Sequence, residues 1–295
     1  MEIFRFPFKA MGSACEIVIA DIDHAIAQVK AAQAAQEVLR IEKKYSRYQS
    51  DSIVSKINAG AGKQKIACDA ETWEMLNYAE QLYQMSEGLF DISSGILRQA
   101  WNFKEPKIPS QSELDTLCAC INWTSIERDK QQIYLPKVGM EIDFGGFGKE
   151  YGADKAAAVL ERLQVAHGYV NLGGDIRVLG PKPDGQAWVI GIQHPREAKQ
   201  VIATIPLQGG ALATSGDYEK YFELNGERYC HILNPRTGMP VKYWSSISVL
   251  APVSLMAGSY TTIAMLLEDK GLAFLEDAGV SYFTTDLGCQ IRFKK

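Results

Sequence analysis

The segment GGFGKEYGAD, residues 145–154, joins an apolar run at 140–144 to a helical pattern that begins near Lys149. Glycines at such a junction serve one of two ends. They let main-chain N–H groups approach a phosphate at a helix N-terminus, or they make a tight turn. The segment has neither the spacing of a Walker A loop nor that of a GxGxxG dinucleotide fingerprint. On its own it leaves both readings open, with Lys149 as either a phosphate partner or a solvated cation.

Working outward, the pattern is helical before this junction and strand-rich after it. Residues 22–48 read as a long helix, with Ile26, Val29, Val38, Leu39 and Ile41 on its apolar side and alanines on its polar side. SRYQSDSIVSKINAGAG ends it and passes through a polar loop into a short helix. A second amphipathic helix lies in DAETWEMLNYAEQLYQMSEG, with Asp69 as N-cap and Gly88 as stop. A further helix is expected over 111–120. Strands are expected at QQIYLP, MEIDF, YVNLGGDIRVLG, AWVIGIQ, VIATIPL and SSISVLAP, and Asn225-Gly226 signals a hairpin. Gly173-Gly174 reads as a bulge or a close approach within a strand. A helix over 255–267, a short helix and two closing strands complete the chain. Segregated helices and strands indicate an α+β fold, mostly antiparallel sheets flanked by helices, in two intimate lobes. No low-complexity linker interrupts residues 1–295, so a single domain is expected. DFGGFGK and NLGGDIR resemble each other faintly, as an internal duplication would.

The 295 residues are 46% hydrophobic and 22% charged, with a formal net charge of −4. That balance gives no electrostatic footprint for nucleic acid. No stretch approaches the ~20 apolar residues of a membrane span. The N-terminus alternates like a strand, without a signal-peptide pattern or lipobox, so a cytoplasmic protein is expected. Six scattered cysteines match no disulfide framework or zinc spacing, and Cys118 and Cys120 read as buried thiols at a helix end. His231 precedes the turn sequence Asn-Pro-Arg-Thr-Gly, and Ser215 and Gly216 lie in another polar loop. A histidine so placed is either structural or an acid/base group.

Seven segments, in order, resemble the FAD:protein FMN transferases, the ApbE-type flavin transferase family. They are FKAMGSACEIVI, YSRYQSDSIVSKIN, GLFDISSGIL, IDFGGFGKEYGADKAA, VNLGGDIRVLG, ATSGDYEKYF and HILNPRTGMPV. The resemblance spans nearly the whole chain. It implies cleavage of the FAD pyrophosphate and transfer of FMN to a Thr or Ser of a partner flavoprotein, with release of AMP and with Mg²⁺ at the phosphates. By position, it implies that Met11 and Tyr48 touch FAD near its ring systems. Leu89, Phe90 and Asp91 would form another cofactor edge. Asp143 and Lys149 would hold FAD on the glycine turn, with Ile232 as a further contact. The Gly146 carbonyl, Thr261 and Thr262 would face the metal, and His231 would be the acid/base group. Arg236 would brace its turn or meet a phosphate.

Two positions depart from the family pattern. Gly258 stands where the family has a metal-binding aspartate, and Glu150 stands where it has glycine. A hard cation depends on carboxylate oxygens, so Mg²⁺ binding is expected to be weak or FAD-dependent, and Gly258→Asp is expected to strengthen it. An FAD-binding relative with little transferase activity, or an FAD pyrophosphatase, would fit the same motifs.

Overall fold

In the computed structural model, which describes residues 1–295, the chain runs through β1 (Glu2–Ala10), β2 (Ser13–Asp21), α1 (His24–Tyr45), α2 (Ile53–Ala59), β3 (Ile66–Ala67) and α3 (Ala70–Met85). A 3₁₀ helix at Ile92–Gln99 leads to α4 (Gln111–Cys118), β4 (Glu127–Arg128), β5 (Gln132–Tyr134) and α5 (Gly148–Arg162). Then come β6 (Gly168–Leu172), β7 (Asp175–Gly180), β8 (Trp188–Gln193), β9 (Val201–Leu207), β10 (Gly210–Gly216), β11 (Tyr221–Leu224) and β12 (Glu227–Cys230). The chain closes with β13 (Trp244–Ala251), α6 (Ser254–Leu266), α7 (Gly271–Asp277), β14 (Ser281–Asp286) and β15 (Ile291–Lys294).

The main sheet has eight strands in the order β1-β2-β6-β7-β10-β13-β14-β15, and every pairing in it is antiparallel. Strand alternation assigns its two faces. Ile17, Ile19, Val170 and Leu172 meet α1 and α5 on one face, and Ala211, Ala213, Ile247 and Val249 meet α6 on that same side. Val18, Tyr169, Ile176, Val178 and Leu212 face the β8–β9 hairpin on the other. No helix is long and apolar enough to cross a membrane.

Several expectations hold locally. Asp69 caps α3 by accepting from Thr72 N–H at 2.9 Å, and Asn225-Gly226 turns the β11–β12 hairpin.

Four expectations need correction. The buried stripe of α1 is Ala27, Ala31, Ala34, Val38, Ile41 and Tyr45, whereas Ile26 and Val29 are exposed. The alanine face points inward because α1 lies close against Ala153, Ala156 and Ala157 of α5, where only small side chains fit. Residues 140–144 form no strand. Their alternation is real, with Met140, Ile142 and Phe144 buried. The main chain of Ile142, however, pairs with the Asn58 side chain, donating to Oδ1 at 2.8 Å and accepting from Nδ2 at 3.0 Å. An amide side chain thus stands in for a neighbouring strand. Gly173-Gly174 is the two-residue turn joining β6 to β7, with φ of 62° and 102°. The pair supplies the left-handed backbone that such turns require. DFGGFGK and NLGGDIR therefore have different structures, one a helix entry and one a hairpin, and are no structural repeat. Lastly, Cys118 and Cys120 are half-buried rather than buried.

Candidate functional site

Three turns converge on Lys149. Met11-Gly12 closes the β1–β2 hairpin, with Ala10 paired to Ser13. Ser13 lies beneath the second turn, where a Cβ on Gly173 would come within 2.8 Å of it. The same hypothetical Cβ would be 3.7 Å from Lys149 Nζ, at the start of α5. A cavity of about 400 Å³ lined by Lys9, Ala10, Gly12, Ser13, Ala14 and Glu42 opens beside the first turn.

Lys149 Nζ makes a 2.7 Å ion pair with Asp175 Oδ2, off the line of a well-aligned hydrogen bond. Asp175 is the first residue of β7 and its side chain is 3% exposed. Burial by itself would lower the Lys149 pKa, but Asp175, Glu150 and Glu219 together outweigh it and raise it. Burial raises the Asp175 carboxyl, opposed by Lys149. Glu150 is pushed up to about 8, by burial first and by the charge of Asp175 second, with Lys149 opposing. Three acidic side chains thus act on one lysine, and Asp175 alone pairs with it, Glu150 being largely protonated at neutral pH.

The glycine turn is crowded from beneath. A Cβ on Gly146 would lie 2.8 Å from the Phe90 ring. The Phe90 ring therefore packs under the turn and against Phe147, with ring centroids 6.1 Å apart. The Asp91 carboxylate is likewise engaged within the protein. It accepts from Ser93 N and Oγ at 2.7 and 2.6 Å and from Trp123 N at 3.3 Å. Ile232 is buried in the core. Phe90, Asp91 and Ile232 are thus packed within the protein beside the glycine turn or in the core. Leu89 is half-buried beside them.

Asp143 and Tyr48 are brought together by Arg47, which sequence reading had not singled out. Arg47 makes a 2.9 Å ion pair with Asp143, donates to Gly95 O at 3.2 Å and to Tyr48 Oη at 3.2 Å, and lies over the Tyr48 ring. Tyr48 is 80% exposed, an aromatic face open to solvent. Met11 is held by its main chain, which donates to Glu42 Oε1 at 2.7 Å, and its thioether rests on Gly152 of α5.

His231 follows β12 and is exposed, with its main-chain N–H donating to Lys220 O at 3.0 Å. The surrounding protein mass, then the positive charges of Lys220 and Lys149, push its imidazole down to about 4. It is therefore neutral at neutral pH. Arg236 is exposed on the turn after β12. It reaches the Glu87 carbonyl and braces the loop after α3.

The hydroxyl groups of α6 form a small cluster. Ser215 Oγ on β10 lies 2.8 Å from Thr261 Oγ1 and 3.3 Å from Thr262 Oγ1. Thr261 is fully buried and donates to Gly258 O at 2.8 Å, whereas Thr262 is half-buried. Helix α6 has no cap of its own at Val253. Its first N–H groups, those of Ser254 and Leu255, donate to the two oxygens of Asp154 on α5 at 2.8 Å each. Arg177 of β7 in turn pairs with Asp154 at 3.4 Å. This cross-helix cap sets the register between α5 and α6. Asp154→Ala is expected to cost about 1–2 kcal/mol, the usual range for a lost cap, as read by urea unfolding, with Asp154→Asn recovering part of it.

Comparison with known proteins gives consistent matches. The model of the ApbE family matches residues 11–284. The chain is 32% identical over 256 residues to a protein of Haemophilus influenzae named FAD:protein FMN transferase, covering 82% of this chain and 74% of that one. A protein of the same name from Klebsiella pneumoniae is 28% identical over 281 residues, covering 93% and 86%. Among solved structures, the ApbE protein of Thermotoga maritima superposes with a TM-score of 0.92 at 28% identity, covering 100% of this chain and 97% of that one. The apo form of the Pseudomonas stutzeri flavinyl transferase ApbE gives 0.87 at 27% identity, covering 100% and 95%.

Proposed function

The chain belongs to the ApbE family, and from that premise we propose that it is an FAD:protein FMN transferase. The observation that carries the proposal is the convergence of the Met11, Gly173 and Gly146 turns on the Lys149–Asp175 pair, with an exposed His231 near enough for the Lys149 charge to lower its pKa. Phosphoryl transfer needs positioning and charge neutralisation more than covalent chemistry. Most N–H groups of the glycine turns, those of Gly145, Gly148, Gly173 and Gly174 among them, donate within the protein, which leaves those of Gly12, Gly146 and Lys149 to meet a phosphate, with the Lys149 ammonium beside them. In the proposed reaction the acceptor Thr or Ser oxygen attacks the phosphorus of the FMN half. The pyrophosphate P–O bond breaks, the bonding pair leaves with AMP, and the hydroxyl proton passes to His231. Tyr48, exposed and braced by Arg47, offers a stacking face for a ring of FAD.

The oxygen donors at the α5–α6 contact suit a hard cation such as Mg²⁺. Glu150 Oε2 is buried with no hydrogen-bond partner, the Thr262 hydroxyl is only half-buried, and the Gly146 carbonyl lies in the turn that leads into α5. A magnesium ion bound there would offset negative charge on the pyrophosphate.

Incubation with FAD, Mg²⁺ and an acceptor flavoprotein bearing a Thr flavinylation site should yield an acceptor that fluoresces after denaturing electrophoresis, with one AMP released per flavin joined. AMP and free FMN without labelled acceptor would make it a pyrophosphatase. Saturable FAD binding with no AMP would make it a flavin-binding relative. Because the three turns extend the site beyond one phosphate, FAD should also bind more tightly than FMN. Equal affinities in a tryptophan-quenching titration would contradict that extent.

A further inference from the structure

The family's aspartate is absent at 258, and the structure shows what fills its place. Glu150 and Asp154 are four residues apart, on one face of α5. Ser254 and Gly258 are four residues apart, on one face of α6. Asp154 caps Ser254 and Leu255, so the helices run antiparallel and the next pair along the contact is Glu150 with Gly258. A Cβ built on Gly258 would sit 2.5 Å from Glu150 Cγ and 2.8 Å from its Cδ. The Glu150 carboxyl thus occupies the volume a side chain at 258 would need. Gly258→Asp alone is therefore not a simple repair, because the new side chain would displace Glu150.

Glu150 is 7% exposed, and its Oε2 is buried without a hydrogen-bond partner. An unpaired buried carboxylate is costly. It lies against Gly258, and the hydroxyls of Thr261, Thr262 and Ser215 cluster within the next turn of α6. A divalent cation bound there would satisfy it, and no basic side chain hydrogen-bonds to it.

We infer that in this chain Glu150 is the anionic ligand of a divalent-cation site, delivered from α5 into the space that Gly258 leaves open on α6. This rests on the transferase reading only for the use of the cation. The carboxylate has moved from one helix to the other, and the pair Glu150/Gly258 is an exchange of acidic and small residue across a single contact. The site therefore keeps one carboxylate and needs no negative charge borrowed from FAD.

The test uses Mn²⁺ as an oxygen-seeking probe, with free Mn²⁺ followed by electron paramagnetic resonance, with and without FAD. Wild type, Glu150→Gln, Gly258→Ala and Glu150→Gly/Gly258→Asp would be compared, with FAD affinity and thermal melting as checks on folding. Losing a ligand should weaken Mn²⁺ binding by about tenfold or more, since loss of even an outer-shell partner commonly costs that much. Gly258→Ala should weaken it too, by pushing the carboxylate aside without removing its charge. The exchanged variant should return to within a few-fold of wild type. Unchanged affinity in a folded Glu150→Gln protein overturns the inference, as does an exchanged variant that stays weak or a wild type that binds no Mn²⁺ under either condition. The two readings fail separately. Glu150-dependent Mn²⁺ binding without acceptor labelling would sink the transferase reading alone. Labelling with Mn²⁺ affinity indifferent to residue 150 would sink the ligand assignment alone.

Discussion

His231→Gln is expected to slow FMN transfer by about 10²–10⁴-fold, the usual worth of a positioned acid/base group, while FAD affinity changes by no more than a few-fold. The imidazole is exposed, and the surrounding protein, then the charges of Lys220 and Lys149, lower its pKa. A neutral imidazole can take the acceptor hydroxyl proton at neutral pH, and a glutamine of similar reach cannot. Single-turnover AMP release with pre-bound FAD isolates the step. Transfer within a few-fold of wild type would make His231 a structural residue.

Its lowered pKa adds a stability signature. The folded pKa, about 4, lies below the ordinary histidine value of ~6.5. Between those values the unfolded chain holds the proton and the folded chain does not. Stability therefore rises with pH across that window and is lost as pH falls from about 6.5 towards 4. His231→Gln should flatten that part of the acid limb in denaturant titrations.

Lys149→Ala is expected to destabilise the protein by about 3–5 kcal/mol, because removing one partner of a buried ion pair leaves the other uncompensated. Asp175, 3% exposed, would be the orphan. A loss of FAD affinity in that variant would be ambiguous by itself. Lys149→Met/Asp175→Asn removes both charges while keeping bulk, and should recover most of the stability. If Lys149 also meets the pyrophosphate, the stable double variant should still bind FAD at least about tenfold more weakly, the worth of a charge-assisted hydrogen bond of roughly 1.5–3 kcal/mol. Wild-type FAD affinity in the double variant would make the lysine purely a partner of Asp175. A single variant as stable as wild type would deny the pair its structural weight.

Much of this was legible in the chain itself, because much of it is local. An N-cap such as Asp69 depends on the next three residues. A hairpin such as Asn225-Gly226 depends on two left-handed residues between strands. The order of the short motifs is a one-dimensional property, and it carried the family and the fold. The helix over 22–48 was also visible, but not which side faced inward. Exposed Ile26 and Val29 and buried alanines follow from how closely α5 approaches, and hydrophobicity alone ranks them the other way.

What only the tertiary structure decided are contacts between distant residues whose chemistry depends on the partner. Residues 140–144 alternate as a strand does, yet Asn58, 84 positions away, takes the neighbour's place. Lys149 read as a solvated cation or a phosphate ligand until β7 placed Asp175 against it. Glu150 read as a charge added to one helix and Gly258 as a charge missing from another. Neither reading reveals that the Glu150 carboxyl fills the volume a side chain at 258 would need. That depends on the antiparallel register of α5 and α6, set by Asp154 capping a helix 100 residues further along the chain.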